Sequence, residues 1–514
     1  MRSLISLGIL ILFFNKIIDL LKYIYHPVAP LFSRLSAVIH RYHPCRLCLR
    51  CCVHLRKSWH SWQARLLRWL PFWRRLAINM VVGLLILLFL QFVVPESRFM
   101  HEAEDLGIDW VMKMRRDTAP VKEAPPFVLL DIDEETYQTW QEPFLTPRDK
   151  LLKLLEFAVD GQPQMIIVDI DLSYPSNHPN KESLLKHDQY LYDFFAQYEA
   201  NYCFKTRCPH ILLARSFKPP QSKDNYFEQR LSFLEAAVKN SQHIHWASTL
   251  FDLERDNVLR RWRLWEITCT KNQPAVIPSI QLLAVALVKN PTAGTLQITS
   301  KINEIKPTDC RKANTMTSTG HFLLGDLKIH FSPTRLHRRI VYNISGDDVI
   351  SRKGVRRPNI SWKGKEYSIL SIREVHKITD NNQPIDNEFL QGSITVIGGS
   401  YMNSRDIYAT PIGRMPGTMV IINAIHSLLQ YGELKTLSLS EMLLIQTAFI
   451  LVISLVFAYF KNVFFGNVIS VVLIIILMVP FSLWLFEYGV WLNFAITLLI
   501  LELFQKAIEA TPKN

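Results

Sequence analysis

Four apolar runs of membrane length punctuate the chain, and between the first and the second lies a long stretch where short apolar runs alternate with polar ones. The long runs are Leu76 to Val94, Met442 to Phe460, Val463 to Phe486 and Tyr488 to Phe504. A bilayer core takes about 20 apolar residues as helix, which predicts membrane helices over 76–94, 441–460, 463–486 and 488–504. The last is the shortest and carries Asn493 and Glu502. A fifth run, Leu4 to Phe14, is too short to span alone. Lys16, Asp19 and Lys22 recur every three residues behind it, the pattern of a helix lying in the membrane interface, with spanning as the alternative.

The stretch from 95 to 440 has a different rhythm. Two apolar runs ending in acids, Phe127 to Asp133 and Met165 to Asp171, read as buried strands. Between them Pro147 opens a helix with apolar residues at 151, 152, 154, 155 and 158 and Gly161 as its stop. That is a βαβ unit, which implies parallel strands. Ile211 to Ala214, Trp246 to Leu250, Ile340 to Ile344 and Ile394 to Ile397 add strands, and Arg260 to Thr268 alternates like an antiparallel edge. Polar or Pro-rich loops are expected at 173–183, 218–225, 290–325 and 351–366. The fold class is therefore an α/β domain with a mostly parallel or mixed sheet, joined to four transmembrane α-helices.

Charge orients this plan. The chain holds 58 Lys and Arg against 45 Asp and Glu, a net +13, and residues 1–75 carry thirteen of the bases against one acid, Asp19. That arm supplies +12, so the remainder is near neutral and the positive balance does not imply nucleic-acid binding. Arg65, Arg68, Arg74 and Arg75 precede the first span, whereas Glu96, Glu102, Glu104 and Asp105 follow it. The excess of positive charge marks the cytoplasmic side, which places 1–75 in the cytoplasm, 95–440 outside and the tail 505–514 back inside. Trp59, Trp62, Trp69 and Trp73 interleave with arginines, as in an interfacial belt on anionic lipid. Only ten residues follow the last run, so an exported domain without a C-terminal output domain is expected.

Cysteines divide along the same line. Cys45, Cys48, Cys51 and Cys52 lie in the arm, where CxxC spacing and the nearby His43 and His54 raise a zinc site as one reading; four thiols within eight residues do not easily reach a tetrahedron. Cys203, Cys208, Cys269 and Cys310 lie in the exported part, where disulfides persist. Close spacing favours Cys203 with Cys208 and Cys269 with Cys310, and four free buried thiols is the alternative.

The order FVLLDIDEET, then Pro147-Arg148, MIIVDIDLSYP, DNVLRRWRL and ITVIGGSYMNSRDIYATPIGRMPGTMVIINAIHSLL resembles the type 2 CHASE domain over roughly residues 100 to 435. That resemblance implies an extracytoplasmic sensory module of bacterial receptors, with one span before the domain and three after it, usually coupled to a kinase or cyclase.

The chemistry worth weighing is the acid-rich edge of the sheet. Residues two apart in a strand share a face, so Asp131 and Asp133 project together, as do Asp169 and Asp171. If the two strands are neighbours, their C-terminal ends form the rim where open α/β sheets bind ligands; Arg148, Gly398, Gly399 and Asp406 are expected to join them. One reading is a small-molecule or cation site, Mg²⁺ or Ca²⁺ held by oxygen. The other is that these acids cap helices or pair with Arg148, Arg260, Arg261 and Arg405. No P-loop, GxSxG or HExxH occurs, so no catalytic residue and no cofactor is assigned. The function expected is an inner-membrane sensor that passes a signal to a separate partner protein, in contact with membrane lipid and as a homodimer. A docking subunit of an envelope complex and an exported metal-dependent enzyme are the alternatives.

Overall fold

A computed structural model describes residues 72–492 except 90, 92–97, 117–123, 177–184, 204–207, 220–226, 271–272, 292, 308, 311–318, 333–335, 347–358, 363–364, 381–385, 405 and 461. The arm with Cys45, Cys48, Cys51 and Cys52 lies outside the described residues, as does 493–514. The chain divides into two compact units, Asp109–Leu434 on one hand and Met1–Ile108 with Lys435–Asn514 on the other.

In the second of these, three helices among the described residues are long and apolar enough to cross a membrane: Phe72–Phe89, Leu439–Tyr459 and Phe464–Glu487, with mean hydropathy of 1.8, 2.3 and 2.8. Val82, Ile86, Ile450, Ile453, Phe457, Ile474 and Met478 bury one another in a single cluster. Ser438 and Glu441 form a capping box that fixes the start of the helix Leu439–Tyr459. The fourth expected span is corrected at its beginning. Tyr488 and Gly489 turn, and Val490–Trp491 runs as a two-residue strand parallel to Lys435–Thr436. Backbone pairing with that neighbour, rather than helix, takes Val490 and Trp491.

The unit Asp109–Leu434 is built on one six-stranded sheet, all of it parallel. We number its strands β1 (Phe127–Ile132), β2 (Met165–Asp169), β3 (His210–Arg215), β4 (Ile244–Ser248), β5 (Leu370–Glu374) and β6 (Ile394–Gly399). Their order is β5-β1-β6-β2-β3-β4. The apolar runs are continuous because both faces are covered. On one face Val128, Leu130, Ile166, Val168 and Ile211 pack on the helices Arg148–Asp160 and Lys186–Ala196. The other face is covered by Ile280–Lys289 and Gly417–Tyr431. The result is a three-layer α/β/α domain.

Four expectations change. β1 and β2 are not neighbours, because β6, formed more than 200 residues later, inserts between them. Ile340 to Ile344 is buried but not a strand: the Val341 amide donates to Ser427 Oγ, and the Asn343 and Ile344 amides both donate to Asn423 Oδ1. Side chains of the helix Gly417–Tyr431 thus take the donors a neighbouring strand would have taken. The supposed loop 290–325 contains the helix Gly294–Ile305 and the strand Gly320–Leu324, paired with Leu327–Phe331. The alternating segment from Arg260 splits in two, Arg261–Arg263 pairing with His337–Arg339 and Trp265–Thr270 with Gln273–Pro278, each antiparallel.

Candidate functional site

Insertion of β6 rearranges the acid rim. Asp131 on β1 is in register with Gly398 on β6, and Gly398 is in register with Asp169 on β2. With strands about 4.8 Å apart, the two aspartate Cα atoms stand roughly 10 Å apart across a residue with no side chain. The gap is roofed by the helix Gly417–Tyr431. A Cβ on Gly398 would collide with Thr418 Cγ2 and come within 3.4 Å of the Asp169 Cβ. Glycine is therefore required for the helix to approach this closely. Thr418 is fully buried, and its hydroxyl makes no hydrogen bond among the described residues.

Asp406 completes the group. Its carboxylate lies against Gly417, where any side chain would overlap its oxygens, and its carbonyl accepts from the Gly417 amide at 2.9 Å. Tyr408 donates its hydroxyl to the same carboxylate. Burial, and after it the charge of Asp406, pushes the Asp169 carboxyl up to about 8; burial raises Asp406 as well. No lysine or arginine pairs with either acid among the described residues. Two buried carboxylates, one disfavoured by the charge of the other, stand beside a helix N-terminus and a hydroxyl without a hydrogen bond among the described residues, an oxygen-rich arrangement chemically suited to a proton or a cation.

The other expected residues are engaged differently. Asp131 accepts from Ser400 Oγ at 2.8 Å. Asp133 caps the helix Glu134–Thr139, its Oδ1 accepting from the Thr136 amide at 2.8 Å. Gly399 makes room for the ring of Tyr401, which stacks on Tyr137 at 4.2 Å. Asp171 lies beyond the end of β2 and accepts from the Ser173 amide at 2.9 Å, from Ser216 Oγ at 2.7 Å and from Ser173 Oγ. Burial opposes its ionisation, but these donors outweigh burial and hold its carboxyl low. Arg148, buried at the first turn of its helix, donates from Nη2 to the Tyr174 carbonyl at 2.8 Å, and its Nε is 3.8 Å from Asp188 Oδ1. Asp188 is also buried and accepts from the Ser176 amide and hydroxyl. Burial lowers the Arg148 pKa, opposed by the charges of Asp188 and Asp171.

Arg260 and Arg261, expected as partners of the rim acids, serve another network. Arg260 meets Asp109, Glu254 and Asp256, each at 2.8 Å, Arg261 meets Glu254, and Arg339 meets Asp109 at 2.9 Å. Arg405 lies outside the described residues. Cys203 is joined to Cys208 with Cα atoms 4.7 Å apart, and Cys269 to Cys310 with 5.8 Å. Sequence reasoning missed Thr418, Tyr408 and Ser400. The spacing of Asp406 and Tyr408, two apart, and the Pro416-Gly417 helix start were the available signals.

A parallel α/β/α domain with carboxylates gathered at its strand ends, on a chain that also carries membrane-length apolar helices, has the makeup of a membrane protein. The family model of the CHASE2 domain matches residues 81–459, most of the chain, and the chain belongs to that family. Neither a curated protein nor a solved structure matches it. The family's role is sensory, as a domain of signalling proteins.

Proposed function

We propose that the chain is a receptor-like protein of the bacterial inner membrane whose CHASE2 domain lies outside the cytoplasm, detects a cation there and relays its presence to a separate partner protein. The observation that carries this reading is the Asp169 and Asp406 pair, both raised by burial and Asp169 also by the charge of Asp406, with no basic partner among the described residues. A hard divalent cation, Mg²⁺ or Ca²⁺, relieves that repulsion, with the Thr418 hydroxyl available as a further oxygen ligand. Binding displaces the proton that the pair retains, so affinity rises with pH toward about 8. The helix Gly417–Tyr431 starts at the pair and ends four residues before Lys435, shortly ahead of the membrane-length helix Leu439–Tyr459. Chain continuity gives a pull on its N-terminus a short route to the bilayer. The arginines at 65–75 support the cytoplasmic placement of the N-terminal arm.

Calorimetric titration of the full chain in detergent with Ca²⁺ and with Mg²⁺ tests the site. Binding with proton release, weakened tenfold or more in both Asp169→Asn and Asp406→Asn, is the expected result. Absence of binding, or equal affinity in the variants, removes the cation from the proposal.

A further inference from the structure

A second cluster lies at the opposite end of the sheet, where β3 and β4 begin. Cys203 ends the short helix Tyr198–Tyr202, Cys208 precedes β3 by one residue, and His243 immediately precedes β4. One ring nitrogen of His243 and the sulfurs of Cys203 and Cys208 all lie within 4.8 Å of one another. The two cysteines are four residues apart in the spacing sense C-x₄-C, within the range of thiolate metal sites.

The histidine is prepared for coordination. Its Nδ1 lies 3.1 Å from Glu199 Oε1, and a carboxylate only accepts, so in the neutral ring Nδ1 carries the proton and Nε2 keeps its lone pair. Glu199 is itself fixed, its Oε1 accepting from Ser241 Oγ at 2.7 Å and from the Gln242 amide at 2.6 Å. A carboxylate that holds one imidazole nitrogen while the other faces a metal is the usual supporting arrangement around such ions. The His210 ring stacks on His243 at 5.0 Å, and its Nδ1 is buried without a hydrogen-bond partner.

We propose that Cys203, Cys208 and His243 form a redox-gated site for a thiolate-seeking ion, Zn²⁺ or Cu⁺, positioned by Glu199 and exclusive with the Cys203–Cys208 disulfide. The disulfide excludes the ion because its sulfurs are bonded to each other instead of being anionic. Opening it consumes two electrons: two small thiols convert the disulfide into two protein thiols and become one small disulfide. Metal binding then releases the thiol protons to solvent. A fourth position remains for water. The site is independent of the acid pair, since it shares none of its residues.

The test uses Co²⁺ as probe on the full chain in detergent, in a background where Cys45, Cys48, Cys51 and Cys52 are serine. A phosphine opens each disulfide with one water molecule, giving two thiols and the phosphine oxide. One equivalent of Co²⁺ with a thiolate-to-metal charge-transfer band is expected after reduction, and none before it. Cys203→Ser and Cys208→Ser should abolish the band and Cys269→Ser should keep it. His243→Gln should weaken binding at least tenfold, and Glu199→Gln 10- to 100-fold. A reduced protein without the band, a band that survives Cys203→Ser, or equal binding before and after reduction overturns the proposal. The oxidised and reduced comparison uses one polypeptide, so a folding defect in a variant does not decide it.

Discussion

Asp169 and Asp171 are two residues apart in sequence, yet they sit in opposite electrostatic surroundings. Asp171 has left the strand, and two serine hydroxyls and an amide meet its carboxylate, with the buried Arg148 and Asp188 nearby. Asp169 remains on the strand under the helix Gly417–Tyr431, where burial and a second carboxylate meet it instead. The acids of the first region hold loops in place, and those of the second meet no basic side chain among the described residues. Counting carboxylates along a rim does not identify a site; what matters is which loops return to neutralise them.

The largest expected effect tests the neutralised region. Arg148→Met strands the buried Asp188 without its cation and should cost about 3–5 kcal/mol in chemical denaturation, leaving Ca²⁺ affinity per folded molecule unchanged. A cost below 1 kcal/mol would mean that the pair is not a structural tie. Next, Gly398→Ala adds a Cβ against Thr418 and should destabilise by about 1–3 kcal/mol while weakening cation binding, because the helix must lift. Loss of stability with binding intact would uncouple the helix approach from the site.

The third concerns pH. Asp169 has its folded-state pKa raised from 3.8 to about 8, so between those values the native protein holds more protons than the unfolded chain. Stability from this group is therefore present at low pH and lost as pH rises through about 8. Asp169→Asn should flatten that decline and so leave the protein more stable at pH 8 than the unmutated chain. An unchanged pH profile of thermal unfolding would contradict the assignment. Smallest is Asp171→Asn: an amide oxygen still accepts the serine donors, so a loss of about 0.5–1 kcal/mol with unaltered cation binding is expected. A tenfold loss of binding there would move the site to the other end of the rim.

Much of the fold was legible. β1, β2 and β6 are continuous apolar runs that match Phe127–Ile132, Met165–Asp169 and Ile394–Gly399 because a doubly covered parallel strand needs no polar side. The helix Arg148–Asp160 starts after Pro147 and stops at Gly161 as its punctuation demanded. The edge strand β5, Leu370–Glu374, escaped notice because Ser371, Arg373 and Glu374 make it read as polar. Ile340 to Ile344 misled for the converse reason: apolar residues signal burial, and burial here comes with amides satisfied by Asn423 and Ser427.

The sequence by itself determined the membrane-length helices, the parallel α/β character and the family, since length, period and motif order are local properties of the chain. Only the tertiary structure decided that β6 enters between β1 and β2, and hence that Gly398 separates Asp131 from Asp169 while Thr418 and Asp406 close over them. Strand order is set by contacts between segments hundreds of residues apart, and carboxylate chemistry by what those contacts bury. Neither quantity is written in the neighbours of any one residue.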